Sequence, residues 1–262
     1  MSEIEAFWEA RADRFAQEGE GLRAVCSYAM PGFYNRAIDL TQRVALDAVI
    51  RSIGSADSVL EYGCGIGRWT RQIARYSRDV VGVDFSTSML REAERRTAAA
   101  GLKSRCRFMQ CDVSALDLRR QFDLVIGVTV LQHIVEETRF RSAVEQLAHH
   151  VKPGGRLVIF EAAPSTVDHR ADTGTFHARP LADYLDRIAL AGLTVEQMRG
   201  VDPAPFKLWV IPRYAQWPGP VRAAALGLTV LSSLPVDLVF GARFVRSSWH
   251  KIIVARASGC PQ

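Results

Sequence analysis

The sequence predicts an α/β fold, a doubly wound parallel sheet with helices on both faces. Three observations carry that expectation. From residue 57 onward, short runs rich in Val and Ile alternate with helical patterns, as parallel strands joined by crossover helices do. The first run ends in a glycine-rich turn, with Gly63, Gly65 and Gly67 at alternate positions. Acids close the first three runs at Glu61, Asp84 and Asp112. In an open parallel sheet, ligands bind outside the carboxyl ends of the strands.

The elements follow in chain order. Residues 2 to about 18 place Ile4, Phe7, Trp8, Ala12 and Phe15 at helical spacing and predict an amphipathic helix. EGEG (18–21) is a polar joint, and CSYAMPGFYN holds a Pro-Gly turn. A second helix is predicted over about 35–53, with Ile38, Leu46, Val49, Ile50 and Ile53 turned inward. Residues 1–54 therefore read as an N-terminal helical cap, and 55–262 as the sheet-forming domain. Strands are predicted at 57–62, 79–84, 105–110, 122–128 and 155–161, with helices at about 66–76, 86–100 and 138–150. Lys152-Pro153-Gly154-Gly155 reads as a tight turn delivering the fifth strand. A helix at 180–190, stopped by Ala191-Gly192, feeds a strand at 193–198. The last strand, 249–257, follows an insertion at about 199–248. A connection that long inside one domain tends to be functional. It reads as a lid or as a homo-oligomer contact, part helical around 221–232.

Composition narrows the function classes. The chain has 262 residues, 48% hydrophobic and 23% charged, which predicts a packed core. Its formal charge is +5, but the basic residues are scattered among acids, so solvated surface is expected and not nucleic-acid binding. The cysteines (Cys26, Cys64, Cys106, Cys111 and Cys260) show neither CxxC pairs nor zinc spacing. They read as free thiols of a reducing, cytoplasmic compartment, with no metal site. The acidic, amphipathic start carries no signal pattern. No uncharged run reaches the roughly 18 residues of a membrane span; the nearest approach is 223–236.

A strand that turns through glycine into a helix surrounds one small cavity with bare backbone and helix N–H groups, a nucleotide-type site. A dinucleotide enzyme is the obvious rival reading. Against it, the spacing is GxGxG instead of GxGxxG, and Glu61 stands two residues before the first glycine, poorly placed beside a pyrophosphate. A further acid, Asp112, closes the third strand. A ligand that bears an ammonium group and no phosphate suits those charges better.

The chain resembles the class I S-adenosylmethionine-dependent methyltransferases. The matching stretches are VLEYGCGIGRWT (59–70), VVGVDFSTSML (80–90), MQCDVSAL (109–116), FDLVIGVTVLQHI (122–134) and VKPGGRLVIFE (151–161), in the family's order. The resemblance implies a Rossmann-like sheet of seven strands, order 3-2-1-4-5-7-6, with an antiparallel last strand. It also implies S-adenosylmethionine as cofactor and a role for each strand end. Glu61 and the backbone of Gly63 and Gly65 would take the methionine part. Asp84 would take the ribose hydroxyls, Phe85 and Met89 would flank the adenine, and Asp112 and Val113 would take its amino edge and ring nitrogen. Val128 and Thr129 would line the cofactor below the sulfonium, with His133 one helical turn further.

The expected reaction is methyl transfer to a small-molecule acceptor by in-line displacement, at an O, N or activated C centre of a metabolite, natural product, lipid or glycan. Alignment supplies much of such a rate, and a base is needed only where the acceptor must lose a proton. His133 and Glu161 are the candidate bases. Tyr28, Tyr34, His177 and Arg179 are the candidate acceptor contacts. The apolar cap and insertion lean toward a greasy acceptor, and Trp69 reads as core. The alternatives are a non-catalytic partner subunit, which the intact acids and glycines disfavour, and nucleic-acid methylation, which lacks the Asn/Asp-Pro-Pro-aromatic tetrapeptide for a flipped base.

Overall fold

A computed structural model describes residues 3–15, 21–26, 30–166, 172–204, 207, 210, 213 and 216–259. Seven strands form one sheet: β1 (Ser58–Tyr62), β2 (Asp79–Asp84), β3 (Cys106–Gln110), β4 (Phe122–Val128), β5 (Val151–Ala162), β6 (Leu193–Gly200) and β7 (His250–Ala257). Their order is β3-β2-β1-β4-β5-β7-β6. The first five run parallel, and β7 runs antiparallel to both β5 and β6. This is the topology that the resemblance implied.

Helices cover both faces: α1 (Glu3–Phe15), α2 (Gly21–Val25), α3 (Gly32–Ile53), α4 (Arg68–Ile73), α5 (Thr87–Ala99), α6 (Glu137–His149), α7 (Leu181–Leu190) and α8 (Gly219–Phe240). Successive strand residues point to opposite faces, so one strand feeds two apolar layers. Leu60 and Tyr62 of β1 pack with Phe140, Val144 and Leu147 of α6 and with Tyr184 and Ile188 of α7. Val59, between them, packs with Leu46, Val49 and Ile50 of α3 and Trp69 and Ile73 of α4. The second half of α3 is thus part of the sheet's covering layer. α1 and α2 lie over the glycine turn, where Ala12 and Ala24 meet Ile66 and Met89.

Two departures from the sequence expectation have local causes. Lys152-Pro153-Gly154-Gly155 does not precede β5 but bulges within it. Phe122 pairs with Val151 while Leu124 pairs with Arg156, so four residues stand opposite Asp123 alone. Gly154 takes φ 77, and Lys152 reaches back to Asp123 at 2.8 Å. Such bulges sharpen strand twist.

The second departure is α8, which runs well beyond the expected 221–232. Its Leu226, Thr229, Ser233 and Asp237 are buried, whereas Leu228 (68%), Leu231 (74%) and Val239 (66%) are exposed. Among the described residues, it is the one helix long and apolar enough to cross a membrane by length and composition. The expectation concerned uncharged runs, and it stands: Arg222 and Asp237 bound the charge-free stretch at 223–236 within this helix.

Candidate active site

The site is built where β1, β2, β3 and β4 end. Gly63, Gly65 and Gly67 all take left-handed backbone (φ 63, 50 and 67), which glycine adopts without steric cost. Crowding adds to the requirement, since a Cβ on Gly63 would collide with the Val130 methyls. The bare backbone of Gly63 and Gly65 floors a cavity of about 220 Å³ whose walls include Asp84, Phe85, Met89, Asp112, Val113, Val128 and Thr129. Ile4 and Trp8 of α1 and Val25 of α2 close it from above. Nine of the ten residues expected at the cofactor therefore line one space.

The tenth, Glu61, does not line it. Its carboxylate lies beneath the glycine turn, where the Thr70 hydroxyl donates to it. Burial pushes the Glu61 carboxyl up to about 8, and the nearby Asp84 charge adds to the rise. Asp84 faces the cavity. Its Oδ2 accepts from the Gly65 N–H (2.8 Å) and its Oδ1 from the Ser86 N–H (2.9 Å). Burial still raises its carboxyl to about 6.

Asp112 has two duties. It walls the cavity, and its Oδ1 accepts from the N–H and hydroxyl of Ser114 (2.9 and 2.8 Å), capping the short turn Val113–Ala115. Arg139, also in the cavity wall, pairs with its other oxygen. Burial alone would raise the Asp112 carboxyl, but these contacts outweigh it and hold it below its ordinary value.

Sequence reasoning missed several wall residues. Arg68, just after the glycines, lines the cavity with its guanidinium fixed by Asp39 (2.7 Å) and Gln42 (2.9 Å) and stacked 4.0 Å above the Trp69 ring. Trp69, expected as core, is buried and also reaches the cavity. The presence of a charge beside the glycine turn was legible; its direction was not.

A second cavity of about 590 Å³ adjoins the first, and Trp8, Val25, Thr129 and His133 line both. Thr129 is at φ 57, rare for a β-branched residue. Its backbone N–H to Phe160 O (2.7 Å) and its hydroxyl to Val128 O (2.7 Å) hold it there. His133 sits between the rings of Trp8 and Phe176, with Nδ1 2.7 Å from Thr175 O. Burial depresses it to about 4.

The other expected residues fall differently. Tyr34 is buried and lines the second cavity. Tyr28 lies outside the described residues. Glu161, expected as a substrate-facing base, is turned away from both cavities. It accepts from the N–H groups of Val130, Leu131 and Gln132 at 2.8, 2.9 and 3.2 Å. Burial raises its carboxyl to about 7. Arg179, expected as an acceptor contact, is also buried away from the cavities. It donates to Leu131 O (3.2 Å) and Ile134 O (2.6 Å) over the Phe140 ring. His177 bonds Gln132 O through its backbone N–H (2.8 Å) and walls neither cavity. Strand-end position was a valid signal for proximity but says nothing about which way a side chain turns.

The second cavity holds two acid–base pairs that the sequence pattern did not single out. Asp202 and His250 flank the hairpin-like end of β6 and β7, with His250 Nδ1 2.6 Å from Asp202 Oδ2 and the His250 N–H donating to Oδ1 at 2.7 Å. Lys207 pairs with Asp237 of α8. Asp202, Lys207 and Asp237 fall inside the insertion and His250 opens β7 just after it, so no motif spacing ties the four together in the sequence.

Comparison with known proteins places this geometry. Residues 59–155 match the family model described as a methyltransferase domain. The ubiquinone biosynthesis O-methyltransferase of Brucella anthropi is 31% identical over 101 residues, 38% of this chain and 39% of that protein. The Nodulation protein S of Azorhizobium caulinodans is 29% identical over 100 residues, 38% of this chain and 46% of that protein. The chain thus spans less than half the length of these two relatives. Among solved structures, the magnesium protoporphyrin IX methyltransferase from Synechocystis with bound SAM superposes with a TM-score of 0.63 at 16% identity, covering 98% of this chain and 99% of that one. At that identity the likeness is one of fold.

Proposed function

We propose that this chain, which carries a methyltransferase domain over residues 59–155, transfers a methyl group from S-adenosylmethionine to a small-molecule acceptor. One observation carries the reading: a cavity floored by bare glycine backbone and edged by strand-end acids opens, across Thr129 and His133, into a larger one. The chemistry of the wall fits the cofactor. Glu61 and Asp84 are buried acids near each other, and Asp84 has no cation among its hydrogen-bond partners. That setting favours a cationic ligand and opposes a diphosphate.

Asp84 would accept from the ribose hydroxyls, and Phe85, Met89 and Val113 would hold the adenine in an apolar slot. Asp112 stands at the base's polar edge, pinned there by Ser114 and Arg139. Gly63 and Gly65 leave room for the amino-acid tail, with Glu61 supporting the turn from below. When bound, S-adenosylmethionine supplies a methyl activated on a sulfonium. The protein's part is alignment. Val128 and Thr129 set the wall past which an acceptor in the larger cavity would approach. His133 stays neutral above about pH 4, and its Nε2, 3.4 Å from the Gln132 amide nitrogen, suits accepting a hydrogen bond better than storing a proton. Free thiols at Cys26, Cys64, Cys106 and Cys111 support a reducing, cytoplasmic setting.

The test is a transfer assay with methyl-labelled S-adenosylmethionine and fractionated metabolite extracts. Label is expected in a low-molecular-weight product. Label entering only nucleic acid, or no transfer from any fraction, contradicts the proposal.

A further inference from the structure

We infer that the larger cavity is the acceptor site, that it takes an apolar, ring-bearing hydroxyl compound such as a phenol or enol, and that His250, held by Asp202, takes the proton. The inference rests on the methyl-transfer reading and adds the acceptor's class and a base to it.

The walls argue for the class. Met30, Tyr34, Ile38, Phe176, Val230 and Leu234 give the cavity an apolar and aromatic lining. Its volume of about 590 Å³ is in the range of a drug-sized ligand pocket, about 300–1,000 Å³. The polar wall residues include Arg11, Gln42, Gln132 and Ser233 as well as the acid–base pairs Asp202–His250 and Lys207–Asp237.

Glu161, Asp237, His133 and His250 are the candidate bases in or near the cavity, and their partners separate them. Asp237 is already paired with Lys207. The Glu161 oxygens already take three backbone N–H groups. His133 faces a carbonyl through Nδ1 and has aromatic edges beside it, with no carboxylate to balance an imidazolium. His250 has one. Asp202 fixes its ring through Nδ1 at 2.6 Å and its backbone at 2.7 Å, so in the neutral tautomer the lone pair stands on Nε2. A carboxylate behind an imidazole orients it and stabilises the cation that forms. Burial would raise the Asp202 carboxyl, but His250 beside it, helped by Lys207, holds it below its ordinary value, ready for that role.

The sheet places His250 across β5 from the junction of the two cavities. Thr129 N–H bonds Phe160 O of β5 on one side, and His250 pairs with Ala162 of β5 on the other. Two strand spacings make this about 10 Å between backbones. An aromatic ring and an imidazole side chain fill that gap. A hydroxyl acceptor needs such a base, because it is a weak nucleophile until its proton leaves; an amine attacks through a lone pair it already has. In the step, the acceptor oxygen forms the new O–C bond and the S–C bond breaks with its electron pair left on sulfur. The acceptor's proton passes to His250 Nε2 and afterwards to water.

The test uses the full chain with methyl-labelled S-adenosylmethionine, 1-naphthol as hydroxyl probe and 1-naphthylamine as amine probe. Wild type is expected to methylate the naphthol. His250→Ala should lower kcat on naphthol about 100-fold or more, with free imidazole restoring part of the rate, and Asp202→Asn should also lower it. His133→Ala should cost less than either. His250→Gln serves as a second variant should the alanine protein fold poorly, and calorimetry with S-adenosylhomocysteine reports whether each variant keeps its cofactor site. Undiminished turnover in the His250 variants, preference for the naphthylamine, or no probe methylation by a protein that binds S-adenosylhomocysteine overturns this inference alone. Failure to bind S-adenosylhomocysteine at all overturns the methyl-transfer reading beneath it.

Discussion

Asp84 and Thr129 show what single residues contribute. The Asp84 carboxylate satisfies the N–H groups of Gly65 and Ser86 while facing the cavity. Asp84→Ala should therefore weaken S-adenosylhomocysteine binding by about 1–3 kcal/mol, read by calorimetry, and unchanged affinity would remove Asp84 from the cofactor site. Thr129 holds left-handed backbone at the junction of the two cavities. Such strain costs about 1–3 kcal/mol, whereas glycine loses only about 0.5–1 kcal/mol of backbone entropy relative to alanine. Thr129→Gly should leave urea stability unchanged or raised, while turnover falls as the wall between the cavities loosens. A large stability loss would show that the threonine is at ease there. Asp84 was legible from its spacing after the glycines. The backbone of Thr129 was not, because nothing in GVTVLQHI marks a residue that only its neighbours force past zero in φ.

At the scale of elements, the segment 130–135 between β4 and α6 carries the wall that includes His133. Two buried polar side chains hold it from opposite sides. Glu161 takes its N–H groups, and Arg179 takes its carbonyls. These side chains therefore position the site without touching its contents. Glu161→Gln presents a donor to backbone N–H groups and should cost about 1–3 kcal/mol of stability. Arg179→Ala leaves those carbonyls buried without their partner and should cost at least as much. Urea denaturation measures both, and a neutral effect of either would undo the clamp.

The first two strands were legible because each is a Val-bearing run ended by an acid or glycine, and β4, β5 and β7 because of their Val- and Ile-rich runs. The direction of Glu161 and Arg179 was not, because a side chain at a strand tip turns toward whichever partners tertiary packing brings. The extent of α8 was underestimated for a related reason. Its inner face answers to α3 and to the larger cavity, and its outer face carries no amphipathic period.

For the molecule as a whole, burial of acids has a consequence for pH. Glu61, Glu161 and Asp84 titrate at about 8, 7 and 6 in the fold, above their ordinary range near 4. The native state then holds protons that the unfolded chain has lost, so stability falls as pH rises between the two values. His133, depressed to about 4, works in the opposite sense and only below about 6.5. From pH 6.5 to about 7.5 the acids dominate, since burial lowers Lys251 to about 8 and its opposing effect enters only near that value, and the melting temperature without ligand should decline across that window. S-adenosylmethionine, bringing positive charge to Asp84 and Glu61, should flatten the decline. A melting temperature that rises over the window would show the acids to be ionised and paired.

In the proposed reading, the glycine turn with Asp84 and Asp112 borders the hollow that takes S-adenosylmethionine. Calorimetric titration of the full chain with S-adenosylhomocysteine tests that most directly. Saturable binding of one molecule per chain is the predicted result. No heat at high micromolar ligand, or tighter binding of a dinucleotide to the same site, would contradict it.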